Sequence, residues 1–258
     1  MSLAALRSRI DRIDSGIRPA VHNHFTTGEA ELDGDLNGVL AEGRLHELFA
    51  ASPADAASAA GVVLMLSLRV NAKKGALLWL RTEAAERAMG QLYMPGLAEL
   101  GADPDRLVLA LMPDDKALLK GAADAAACKG LGALIVECWG KAPLLTLTAS
   151  RRLALAAERS GVTLFLLRVD ADPVPSAATT RWSVSAAPST TMAPDAPGHS
   201  MVEIELLRRR AGPAGMRWRL EWIGEECAFR KPALSGAMVP LVGNRAAEYR
   251  AGPARRSA

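Results

Sequence analysis

Gly43-Arg44-Leu45-His46-Glu47-Leu48-Phe49, followed by Ala50-Ala51-Ser52-Pro53-Ala54-Asp55-Ala56-Ala57-Ser58-Ala59-Ala60-Gly61, decides how the rest of the chain is read. The first seven residues read as a strand and residues 56–70 as a helix, so the join between them stands where a phosphate-binding loop would lie. A loop of the GxxxxGK[ST] kind needs glycines whose backbone N–H groups wrap phosphate, a Lys for the terminal phosphates and a Ser or Thr for magnesium. None of these groups stands at the join. Gly140-Lys141-Ala142 carries a Gly-Lys pair, but it lacks both the hydroxyl and the upstream glycine.

Working outward, residues 76–80, 107–111, 133–136 and 163–169 are short apolar runs with little alternation, as expected of strands covered on both faces by helices. Asp114 and Asp115 can cap a helix over residues 116–129 that Gly130 ends. Thr148 or Ser150 can start another, carrying Arg151, Arg152, Leu153, Leu155, Ala156 and Arg159, that Gly161 ends. Strand and helix in alternation predict a mostly parallel sheet with right-handed crossovers. Beyond residue 169 the pattern changes. Residues 170–180 read as a loop with Pro173 and Pro175, and residues 188–200 as a Pro/Ser/Thr-rich linker. Val202, Ile204 and Leu206 alternate with Glu203 and Glu205, and Trp218, Leu220 and Trp222 alternate with Arg217, Arg219 and Glu221. Around residues 211–215 these predict an antiparallel hairpin, 201–224, that completes the sheet. Residues 225–258 have no sustained period and read as a basic, largely irregular tail.

The order of these pieces resembles the RecA core. The 43–49 stretch looks like the strand entering its phosphate loop. Residues 76–83 look like the strand ending in the glutamate that positions the attacking water, here Glu83, and residues 133–137 replace the strand bearing the magnesium aspartate with one bearing Glu137. Within that superfamily the chain resembles ImuA, the RecA-like accessory protein of the damage-inducible mutagenesis cassette. The motifs that carry this are Gly-Arg-Leu-His-Glu-Leu-Phe at 43–49, Tyr-Met-Pro-Gly-Leu-Ala at 93–98, Leu-Thr-Ala-Ser-Arg-Arg-Leu-Ala-Leu-Ala-Ala-Glu at 147–158, Thr-Arg-Trp-Ser-Val at 180–184 and Trp-Arg-Leu-Glu-Trp at 218–222. The fold expected is α/β: a RecA-like, mostly parallel sheet flanked by helices, with an N-terminal helix and a C-terminal antiparallel hairpin. Residues 41–187 would be the core, lacking the Walker A loop.

Leu3, Leu6, Ile10, Ile13 and Ile17 recur at three- and four-residue steps, which predicts an amphipathic helix over residues 2–18 within an N-terminal helix-and-linker region, 1–40. Its apolar face either grips a partner, as RecA-type proteins grip a neighbouring core, or folds back on its own domain. His22-Asn23-His24 offers two metal ligands against the four of a closed structural site, so it reads as linker. Cys128, Cys138 and Cys227 form no CxxC pair and read as buried thiols in a reducing cytoplasm. A chain of 258 residues can bury about 75% of its unfolded surface in one core. No leader and no membrane span is recognised, so a cytoplasmic protein is expected.

The net charge of +3 is unevenly placed: residues 1–200 hold 20 Lys and Arg against 22 Asp and Glu, and residues 201–258 hold 11 against 6. Arg208, Arg209, Arg210, Arg217 and Arg219 are therefore candidates for meeting a partner protein. Lys141, Arg151 and Arg152 are candidates for weak DNA contact. The loops 139–145 and 170–180 stand where RecA touches single-stranded DNA, but Asp170 and Asp172 repel phosphate. No GxSxG, HExxH or Cys/His pairing is found. The expectation is a non-enzyme without cofactor or metal. What the resemblance implies is an adaptor in SOS-induced translesion synthesis that contacts ImuB, the Y-family-like polymerase protein. RecA is a further partner and an error-prone C-family polymerase an indirect one. The alternative is a SulA-like inhibitor of cell division, since that family is also RecA-like and lacks the phosphate loop.

Overall fold

The computed structural model describes residues 23–37, 40–70, 75–189, 198–210 and 212–232. A single sheet organises them, with β1 (Leu45–Ala50), β2 (Ala76–Thr82), β3 (Leu107–Met112), β4 (Leu131–Trp139), β5 (Thr163–Val169), β6 (Thr180–Ala186), β7 (Ser200–Arg209), β8 (Arg217–Ile223) and β9 (Ala228–Arg230). Their order is β3-β2-β4-β5-β1-β6-β7-β8-β9. Neighbours from β3 to β6 run parallel, whereas β6 to β9 are antiparallel. The helices are α1 (Ala30–Leu36), α2 (Ala56–Arg69), α3 (Glu83–Met89), α4 (Met94–Glu99), α5 (Asp115–Ala126) and α6 (Leu147–Ser160). This is an α/β protein with a mostly parallel sheet flanked by helices and a C-terminal antiparallel hairpin, consistent with a RecA-like fold.

Two cores explain why these segments take these conformations. On one face, α2 packs Ala59, Val62 and Val63 against Leu48, Ile135, Phe165, Leu167 and Trp182, and the inward residues of the hairpin continue this layer. On the other face, Leu118 of α5 and Leu153 and Ala157 of α6 cover Leu134, Val136, Leu164 and Leu166. Fully burying one such aliphatic side chain contributes about 1.5–3 kcal/mol. The strands β1 and β5 are buried at every residue, as a central strand under two helical layers must be. At the helix ends, Asp114 Oδ1 accepts from the Ala117 N–H at 2.7 Å, and Gly161, at φ +82°, stops α6 in a left-handed turn.

The structure also corrects the sequence reading. Edge strand β3 is not covered on both faces, because Val108, Leu109 and Leu111 are 49%, 38% and 43% exposed. Thr146, and not Thr148 or Ser150, caps α6, its Oγ1 accepting from the Ala149 N–H. Helix α5 ends at Ala126, ahead of Gly130. Residues 180–186 form a full strand between β1 and β7. The region read as linker is partly core: His24 bridges to Ala41, and Phe25, Leu32 and Leu36 are buried. The tail read as irregular begins with β9, whose Phe229 packs on Trp222 at a ring-centroid distance of 4.8 Å. Of the cysteines, only Cys138 is buried, while Cys128 is exposed and Cys227 half-buried. The predicted helix carrying Leu3, Leu6, Ile10, Ile13 and Ile17 lies outside the described residues, as do His22, residues 190–197 and residues 233–258.

Candidate functional site

The motif at 43–49 puts two polar groups inside a strand, and each is consumed by the fold. His46 is wholly buried. Its Nε2–H donates to the Ala41 carbonyl at 3.0 Å, so Nδ1 is the acceptor and takes the Thr180 hydroxyl at 2.7 Å. Thr180 Oγ1 in turn accepts from Trp182 Nε1 at 2.8 Å. Burial, with a smaller push from the Arg44 charge, lowers the His46 pKa to about 4, outweighing the carbonyl contact that would raise it. His46 is therefore neutral at pH 7 and ties β1 to β6. Gly43, at φ +67°, opens the motif where a Cβ would lie 3.2 Å from Gly161 Cα.

Glu47 points to the other face of β1. One carboxylate oxygen accepts from Arg181 Nε at 2.8 Å and from Ser176 Oγ at 2.6 Å, and the other lies 3.6 Å from Arg168 Nη1. Phe49 lies beneath both guanidinium groups, 5.1 Å from Arg181 and 5.8 Å from Arg168. Arg181 Nη2 also donates to the Val174 carbonyl at 2.7 Å, and the Ala177 N–H donates to Ser150 Oγ at 3.1 Å. These contacts clamp the 170–180 loop to the core. The 139–145 loop is held in the same way, with Arg168 Nη2 donating to the Gly140 carbonyl at 3.3 Å.

Where β1 hands the chain to α2, Pro53–Asp55 makes one 3-10 turn. Asp55 Oδ2 accepts from Ser52 Oγ at 2.6 Å, and Oδ1 accepts from the Ala186 N–H at the end of β6 at 2.8 Å. The Ser52 hydrogen bond first, then the Ala186 one, holds the Asp55 carboxyl below its usual range. A negative charge therefore occupies the amino end of α2, where a helix otherwise favours phosphate.

The two glutamates expected from the RecA comparison fare differently. Glu83 opens α3 in an exposed position, 3.6 Å from Arg87. Glu137 is fully buried on β4, accepting from Trp79 Nε1 at 3.0 Å and from Arg81 Nη2 at 3.2 Å. Burial raises its pKa despite the Arg81 charge and the Trp79 hydrogen bond. Both of its oxygens are engaged within the core.

A cleft of about 710 Å³ lies at the other end of β1, between α6, the 170–180 loop and the ends of β6 and β7. Arg44, Arg151, Arg181, Arg208 and Arg210 line it with one carboxylate, Glu158. Arg44 takes Glu158 at 2.7 Å and Arg181 belongs to Glu47. Among the described residues, the side chains of Arg151, Arg208 and Arg210 make no ion pair or hydrogen bond. The structure thus unites one candidate for DNA contact with two for partner contact. It separates the others: Arg209 Nη1 donates to the carbonyls of Asp35 and Leu36, closing α1. Arg217 pairs with Glu205 at 2.9 Å, and Arg219 Nη2 donates to the Pro188 carbonyl at 2.6 Å. Lys141 and Arg152 are exposed outside the cleft lining. Trp218 and Trp222 are buried core residues, as their alternation with Leu220 implies.

Sequence reasoning missed His46, Glu47 and Asp55 as structural centres. The signal for the first two was a charged or polar side chain inside an apolar run. Among the described residues there is no cluster of His, Cys, Asp and Glu fit to hold a metal, and no helix long and apolar enough to cross a membrane. Compared with known proteins, the chain matches no family model, and no curated protein matches it.

Proposed function

We propose that this chain is a non-catalytic, RecA-like accessory protein of the ImuA kind, acting in the cytoplasm in SOS-induced translesion DNA synthesis. It works by contact with ImuB, the Y-family-like polymerase protein, with RecA as a second partner and the error-prone C-family polymerase reached indirectly. The observation that carries the reading is the Asp55 turn. In a chain whose motifs run in RecA order, the place for a phosphate loop holds a carboxylate tied to Ser52 and Ala186. Losing one preorganised donor from a charge-stabilising site costs about 10²–10³-fold in rate. Here the lysine, the hydroxyl and the glycines are all replaced, and no turnover is expected. A scaffold of this kind still presents surfaces, and an adaptor needs only those.

Co-expression with ImuB tests this. The full chain should retain ImuB on an affinity column, and removing residues 1–18 should weaken that or its contact with RecA. Truncation at Arg208 is a poor test, because β8 and β9 belong to the sheet. Capture of the tubulin-like division protein, with filamentation of cells expressing the chain alone, would replace this reading with the SulA-like one.

A further inference from the structure

We infer that the arginine cleft between α6 and the β6–β7 ends is a docking site for an acidic, leucine-containing peptide segment of a protein partner. The charge argument comes first. Arg181 and Arg208 lie opposite one another in the β6–β7 ladder, an arrangement that like charges disfavour. Glu47 satisfies Arg181 from within the core. Nothing does so for Arg208, and Arg210, whose backbone N–H donates to the Thr179 carbonyl at 3.0 Å, brings a third guanidinium to the cleft lining. Arg151 closes the set from α6. Three guanidinium groups without an ion pair of their own, in a concavity lined by five arginines and one glutamate, favour carboxylate or phosphate oxygens, which they meet with forked hydrogen bonds.

The walls decide between those two chemistries. Leu147, Arg151 and Leu155 stand four residues apart along α6 and so form one stripe, apolar, cationic, apolar. Leu147 and Leu155 are 45% and 44% exposed, large aliphatic surfaces without a partner. Opposite them run Pro173 and Pro175, a wall with restricted backbone. A single-stranded nucleic acid site combines cations with aromatic platforms for the bases, and the described lining carries no aromatic side chain. Aliphatic walls around these arginines fit a segment that alternates carboxylates with leucines. The inference supplies the docking surface for the contact proposed above, and it rests on that reading only for the partner's identity.

The test uses the purified full chain and a fluorescein-labelled peptide of repeated Glu-Glu-Leu, read by anisotropy. Saturable binding is expected, and Arg151→Ser or Arg208→Ser should each weaken it by roughly tenfold or more, the loss of one charge-assisted contact. A Glu-Glu-Ser peptide and oligothymidylate should bind more weakly at the same salt. Arg217→Ser, which alters an arginine outside the cleft, should leave binding unchanged. If Arg208→Ser does not fold by circular dichroism, Leu155→Asp reads the same contact from an exposed helix position. The inference is overturned by no peptide binding, by binding indifferent to the cleft substitutions, by Glu-Glu-Ser binding as tightly, or by oligothymidylate binding more tightly. Peptide binding without ImuB capture would remove the proposed function and leave the cleft assignment standing; ImuB capture without peptide binding would do the reverse.

Discussion

At the carboxyl end of β1 the chain turns through Ser52 and Asp55, and that turn is fastened to β6 by a carboxylate that faces the start of α2. At the amino end, Arg44 pairs with Glu158 beside a cleft in which Arg151, Arg208 and Arg210 form no ion pair among the described residues. One end of the strand has its polar groups satisfied internally; the other lies beside three arginines without an ion pair. The contrast teaches where binding chemistry can reside in this fold. At the carboxyl end the Asp55 carboxylate is spent on holding the turn to the sheet. The arginines without an ion pair lie at the amino end, on residues that come from α6 and β7 and its end.

Glu47 lies between the two ends, and removing it gives the largest expected effect. Glu47→Ala strands Arg168 and Arg181 in the core, and breaking a buried pair in this way costs about 3–5 kcal/mol. Urea denaturation measures it. A loss below about 1 kcal/mol would mean that the core network is not what isolates the cleft arginines from the interior.

His46 sharpens the comparison through pH. Its folded pKa of about 4 lies below the usual 6.5, so between those values the unfolded chain takes up a proton that the folded chain refuses. The stability contributed is complete above pH 6.5 and lost as pH falls towards 4, by roughly 3 kcal/mol over the window. His46→Gln should therefore fall well below wild type in urea midpoint at pH 7, with the gap narrowing at pH 4.5. A gap independent of pH would contradict the neutral, buried imidazole.

The smallest effect belongs to the turn itself. Asp55→Ala removes two hydrogen bonds at a partly exposed site, which is worth about 0.5–1.5 kcal/mol each at most. Because the Asp55 carboxyl is held below its usual range, that stability is present above the ordinary carboxylate pKa and disappears as pH falls through the lowered one. Thermal melts of wild type and variant should converge in acid.

Much of this architecture was legible in the sequence, because apolar period reports burial directly. The unbroken run at 163–169 is β5, and the alternation of Trp218, Leu220 and Trp222 is the inner face of β8. β6 escaped because Arg181, Ser183 and Ser185 look solvent-facing, and the partner that lets Arg181 be buried is Glu47, on a strand far away in sequence. β9 is three residues long and follows a left-handed Cys227, too short for any period to register. Asp55 could not be weighed from sequence either, since its meaning depends on the Ala186 N–H. The cleft arginines were each visible as charges. Only the packing of α6 on β5 and β1, with β6 and β7 following β1 in the sheet, assembles them into one site.

The central claim of the proposed function is that the carboxyl end of β1 binds no triphosphate. The most direct test is titration of the purified chain with fluorescently labelled ATP and magnesium, followed by anisotropy and chased with unlabelled ATP. The account predicts no saturable signal through the micromolar range. Saturable, magnesium-dependent binding displaced by unlabelled ATP would contradict it.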